Sequence, residues 1–191
     1  ASGVAGLLEL ARLFKMVPPE KGIDLVAYAL EEPPNFKTEK MGSAVHAKML
    51  KQSGRVVKMM IALEMIGYFN DEPGSQGYPV PFLKWIYPDT GNFIAVIGRL
   101  DDISETRKIK AAMQGATDLP VYSINAIRAI PGLDFSDHQS FWNEDFPALM
   151  VTDTAFYRNL AYHQAGDTVD SLDYEKMTKV VQSVWLAINL P

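Results

Sequence analysis

The chain has 191 residues, 48% of them hydrophobic, which suffices for one substantial core and sits within a single-domain expectation. Net charge is −5 with the basic residues scattered, which argues against nucleic acid and membrane partners; no apolar run reaches the roughly 18 residues that span a bilayer. Cysteine is absent, which excludes disulfides, thiolate zinc sites and a cysteine nucleophile and leaves the redox compartment open.

Ser2 reads as the N-cap of a helix over residues 3–16, with Val4, Leu7, Leu8, Ala11 and Phe14 on one face. The aliphatic and aromatic run 23–30 reads as a buried strand, stopped by Pro33-Pro34 after Glu31-Glu32. A polar loop follows to residue 40, then a helix over 42–52 closed by Gly54. Residues 55–66 are almost continuously apolar apart from Lys58 and Glu64, which suits a strand covered on both faces. A Gly/Pro-rich loop occupies 67–88. Residues 92–98 predict a strand, 102–114 a helix, 121–126 a strand and 147–153 a last strand. Ser171 then reads as the cap of a helix with the stripe Met177, Val180, Val181, Val184, Trp185 and Ile188. Strands alternating with helices predict an α/β fold with a largely parallel sheet, whose functional residues gather at carboxyl strand ends. No internal repeat or linker divides residues 1–191.

Glu31 and Glu32 stand at one such end. Two adjacent carboxylates repel each other and resist desolvation, so they are either solvated at a loop mouth or compensated by a metal ion. In the second case one is a ligand and its neighbour a base. Glu64 lies inside the apolar run 60–66, where it needs a basic partner or a cation. His163 follows the last predicted strand, with Asp167 four residues on, near enough to orient an imidazole. It is either a structural loop histidine or a ligand. Two carboxylates and an imidazole at successive strand ends make a zinc-type donor set.

Five motifs occur in order: Ala1-Ser2-Gly3, Glu31-Glu32, Leu63-Glu64-Met65-Ile66-Gly67, Ser136-Asp137-His138, and Tyr162-His163 with Asp167-Thr168. In that order and spacing they resemble the zinc exopeptidases of the bacterial leucyl aminopeptidase type, with glutamate carboxypeptidase and glutaminyl cyclase as more distant relatives. The resemblance implies a three-layer sandwich with a mixed, largely parallel central sheet and helices on both faces. It also implies two zinc ions, with Glu31 as general base, Glu32 a ligand of one ion and Glu64 a ligand of the other. Glu64 departs from the pattern, which has an aspartate there. His163 would bind the ion of Glu32 or its neighbour. Tyr162 would donate to the tetrahedral oxyanion, or simply pack at the pocket edge.

The resemblance also places a bridging aspartate and a histidine ligand upstream of Ala1, so three of five ligands fall within this chain. The expectation is therefore a catalytic domain without its N-terminal strands, with zinc partly or wholly lost. An open sheet edge left by those strands would invite pairing between copies. Asp137 and His138 would border the metal site, Asp137 behind the ligands and His138 near substrate, or belong to simple loop structure. A serine triad at Ser136-Asp137-His138 is rejected because adjacent residues do not converge as a triad requires. Phe156, Tyr157 and Arg158 would line the specificity pocket, with Arg158 meeting a substrate carboxylate or carbonyl, or form a surface turn. His46, Met59 and Met60 read as structural. The implied activity is hydrolysis at peptide N-termini. The alternatives are a carboxypeptidase or cyclase on the same fold, and a non-catalytic binding or assembly domain. No targeting segment is legible; a secreted or periplasmic setting is the favoured one.

Overall fold

The computed structural model describes residues 1–127 and 130–189. Its strands are β1 (Met60–Glu64), β2 (Ile94–Arg99), β3 (Val121–Ala126) and β4 (Ala148–Thr152). Its helices are α1 (Ser2–Met16), α2 (Gly42–Gln52), α3 (Ile103–Gln114), α4 (His138–Asn143) and α5 (Tyr174–Asn189). The sheet order is β1-β4-β2-β3. β1 pairs parallel with β4 and β2 parallel with β3, while β2 and β4 run antiparallel. Glu64, Thr152 and Ala95 therefore lie in register at one end of the sheet.

Alternation along the strands divides the core, as expected of a sheet covered on both faces. Ile94, Val96, Leu149 and Val151 pack with Leu10 and Phe14 of α1, Met113 of α3 and Val180, Val181 and Val184 of α5. On the other face, Ala148 packs with Ala47, Leu50, Phe141 and Trp142 from α2 and α4, while Ala95, Ile97 and Met150 pack with Phe93 and Leu133. The result is the expected three-layer α/β sandwich. No helix among the described residues is long and apolar enough to cross a membrane.

Several expectations need correction. Residues 23–30 are not a strand: they run without a ladder to any described strand, with Leu25, Val26 and Leu30 exposed and Leu30 left-handed at φ 62°. An apolar run takes on strand geometry only where a neighbouring strand satisfies its amides, and the described sheet stops at β1. β1 is itself shorter than predicted. Its ladder starts where Met60 N–H reaches Pro147 O, and it ends at Met65, which is left-handed at φ 47°.

The sheet-facing side of α1 is also different. Gly6, Leu10 and Phe14 are buried, whereas Val4 and Leu8 are 51% and 68% exposed. Gly3 and Gly6 lie so close to Leu63 O and Ile66 that a Cβ at either would collide with them. Close approach at the two glycines, together with the buried Leu10 and Phe14, seats this helix. Ser2 is inside the helix, and its Oγ accepts the Ile66 N–H at 3.1 Å instead of capping. Likewise Asp173, just before α5, accepts the Lys176 N–H on its Oδ1 at 2.9 Å, while Ser171 Oγ donates to Thr168 O in the preceding turn. α4 was not foreseen. His46 meets Tyr28 OH at 2.7 Å, as a structural histidine would.

Candidate metal and peptide site

The elements that end beside Glu64 bring the sequence motifs together. β1 delivers Glu64, the segment after residue 30 delivers Glu31 and Glu32, the start of α4 delivers Ser136 and Asp137, and the loop after β4 delivers Tyr162 and His163. Glu32 Oε1 lies 3.5 Å from His163 Nε2. His163 is left-handed at φ 57°, and its ring stacks on Tyr162 at 3.9 Å between centroids. A non-glycine residue holds such a backbone only where its surroundings over-determine it.

The site is crowded with carboxylates. Burial first, and then the charges of Glu64, Asp137 and Glu32, together push the Glu31 carboxyl up to about 8. Burial likewise raises Glu64, opposed by the hydrogen bond that Ser136 Oγ donates to Glu64 Oε2 at 2.9 Å. Asp137 is raised by burial and lowered by its bond from Ser43, and its Oδ1 is buried without a hydrogen-bond partner. Tyr162 is pushed up to about 12 by burial first, then by Glu64, Glu32 and Glu31. Every one of these shifts disfavours added negative charge, so the cluster calls for a cation.

Zinc meets part of that demand. Two donors on one tetrahedral ion, each about 2.0–2.2 Å from it, stand roughly 3.3–3.5 Å apart. Glu32 and His163 have that separation and fit two positions of a single ion. Among the described residues, no group of three His, Asp or Glu side chains is arranged to hold a metal. Glu64 is hydrogen-bonded by Ser136 and feels the Glu32 charge.

Beside Glu64 opens a pocket whose lining is apolar and aromatic, including Tyr78, Phe93, Tyr122, Met150 and Phe156. Tyr157 and Tyr162 line it too. Arg158 does not. It is 4% exposed, with Nε donating to Gln76 Oε1 and Nη1 to Tyr68 O and Phe93 O, and its guanidinium lies 4.7 Å from the Phe93 ring centroid. The sequence-based expectation of a substrate contact is replaced by a structural role behind the pocket wall. His138 is similarly fully buried, with Nε2 at 2.7 Å from Leu133 O and its ring edge-on to Trp142. It does not line the pocket. Asp167 does not reach the imidazole; its Oδ1 accepts from Asn159 Nδ2 at 3.0 Å, bracing the loop that carries His163.

Sequence reasoning missed Ser136 as the partner of Glu64, Asn159 as the brace, and Gln76 and Thr154 on the pocket wall. The only signal for Asn159 was its residue type, since asparagine in a loop commonly bonds neighbouring groups. For Gln76, in a long Gly/Pro-rich loop, there was none.

Comparison with known proteins agrees with this fold. The model of peptidase family M28 matches residues 1–188. The Escherichia coli K12 protein YfbL is 59% identical over 184 residues, covering 96% of this chain and 56% of that protein. A Phaeosphaeria nodorum protein named "Probable zinc metalloprotease" is 28% identical over 214 residues, covering all of this chain and 42% of its own length. Among solved structures, the LapA aminopeptidase of Legionella pneumophila superposes with a TM-score of 0.69 at 22% identity, over 98% of this chain and 45% of its own. That likeness concerns the fold. The chain spans about half the length of the curated relatives it matches.

Proposed function

The chain belongs to peptidase family M28, and on that footing we propose that it carries the base and part of the zinc site of an exopeptidase acting on peptide N-termini. The observation that carries the reading is the Glu32–His163 pair at the separation of two donors on one ion, next to Glu31. Glu32 and His163 would hold one zinc, and Glu64 would face a second. When bound, zinc supplies Lewis acidity toward the scissile carbonyl and brings water into its nucleophilic range near neutral pH.

The remaining chemistry falls to side chains. Glu31 accepts a proton from the attacking water and passes it to the leaving nitrogen as the C–N bond breaks. Tyr162 donates to the oxygen that becomes negative in the transition state. Two observations favour an aminopeptidase over a carboxypeptidase. The cluster of Glu31, Glu32, Glu64 and Asp137 disfavours further negative charge, and with it a substrate carboxylate. Among the described residues, no lysine or arginine lines the pocket, and Arg158, the expected carboxylate partner, is buried elsewhere. The pocket suits a bulky apolar first side chain.

The test is Glu31→Gln in the full-length protein. Peptide hydrolysis should fall by at least about a hundredfold, the scale of a lost general base, with zinc content unchanged. Normal turnover in that variant removes Glu31 from the role.

A further inference from the structure

Three non-glycine residues near Glu64 have left-handed backbone: Met65 at φ 47°, Thr154 at 78° and Ala155 at 48°. Thr154 is β-branched, which makes its conformation a marked outlier. The two stretches follow adjacent parallel strands: Met65 comes after Glu64, and Thr154-Ala155 come just after Thr152, which faces Glu64 in the ladder. Thr154 and Ala155 form part of the pocket wall.

Asp153 lies between these turns and joins them. Its N–H donates to Met65 O at 2.7 Å. Its Oδ2 accepts the N–H groups of Gly67 and Tyr68 at 3.1 and 2.8 Å, and its Oδ1 accepts that of Ala155 at 3.0 Å. At 1% exposure, Asp153 is closed off from solvent. Arg158 anchors the same corner through Tyr68 O. Yet Asp153 is absent from the pocket lining and makes no bond to Glu64.

We infer that Asp153 is a positioning residue: one buried carboxylate locks the turn behind Glu64 to the turn that forms the pocket wall. The inference rests on the proposed reading of Glu64 as a metal ligand and of the pocket as the seat of the first side chain. Metal geometry and side-chain selectivity are then set by the same group. Strained turns persist only while their surroundings hold them, so releasing the clamp lets both relax together.

The experiment is Asp153→Asn in the full-length, zinc-loaded protein. Asparagine keeps the shape but turns an amide N–H₂ toward either Ala155 or the Gly67–Tyr68 pair, both of which donate. Zinc retention against a chelator should weaken at least about tenfold, the scale of a lost supporting bond behind a ligand. The kcat/KM preference for a leucine over an alanine p-nitroanilide should shrink by about the same factor. A folded variant that keeps both properties, and loses thermal stability alone, overturns the inference.

Amide hydrogen exchange tests the clamp without any variant. In the unsubstituted protein, Tyr68 and Ala155 should open as one unit, with protection equal within about threefold; widely different protection overturns the clamp. This readout needs neither zinc nor substrate. Matched exchange in a protein that hydrolyses no peptide would therefore sink the functional reading and leave the clamp standing.

Discussion

Glu32 Oε1 meets His163 Nε2 at 3.5 Å, although one follows an unpaired apolar segment and the other sits in a turn after β4. Both side chains are substantially exposed, so the contact as a salt bridge alone contributes little. Its significance lies in what the two atoms can hold between them.

If a single zinc ion occupies that gap, Glu32→Gln and His163→Gln are not independent. Each substitution should weaken zinc affinity in chelator competition by about tenfold or more, and the double variant should lose much less than the product of the two. Fully multiplicative losses would assign the two residues to different ions.

Glu31 makes the metal-free protein sensitive to pH. Its folded carboxyl titrates at about 8 against an ordinary value of 4.5, because burial and then Glu64, Asp137 and Glu32 disfavour the charge. Between those values the folded state holds a proton that the unfolded state has lost, so stability falls as pH rises through that window. Urea midpoints of the zinc-free protein should therefore be higher at pH 6 than at pH 8.5. Glu31→Gln should flatten this slope and raise the midpoint at pH 8.5. A midpoint that climbs with pH across this range, unchanged by the substitution, contradicts the burial assigned to this group.

Arg158 separates a structural role from a substrate-binding one. Arg158→Met removes the donors to Gln76, Tyr68 and Phe93 and the positive charge beside buried Asp153. Losing one partner of a buried charged network costs about 3–5 kcal/mol, measurable by urea denaturation. A substrate-binding arginine would instead raise KM and leave stability unchanged.

Most of the sheet was legible because its strands are short apolar runs bounded by turn residues; residues 121–126 match β3 to the residue. The segment 23–30 was misread for the converse reason. Its composition reports a preference for burial in a sheet, and a ladder also needs a neighbour that composition does not supply. The convergence of Glu31, Glu32, Glu64 and His163 was legible because unpaired carboxylates at strand ends are costly and so conspicuous. Arg158 and His138 were misplaced because a charged loop residue and a motif histidine both suggest a place beside substrate, whereas backbone carbonyls of Tyr68, Phe93 and Leu133 hold the two side chains in the interior. Asp153, flanked by threonines after an apolar strand, gave no hint that it binds amides from two separate turns.

The antiparallel seam between β2 and β4 splits responsibilities within the sheet. Glu64 belongs to the carboxyl end of β1 and His163 to the loop beyond β4, whereas much of the pocket lining comes from β2 and β3 through Ala95, Ile97, Tyr122 and Ile124. On the proposed function, the half-buried Tyr122 and Ile124 are the positions where the pocket can be reshaped while Glu64 and His163 stay in place, and a library confined to those two positions varies substrate preference apart from the chemistry.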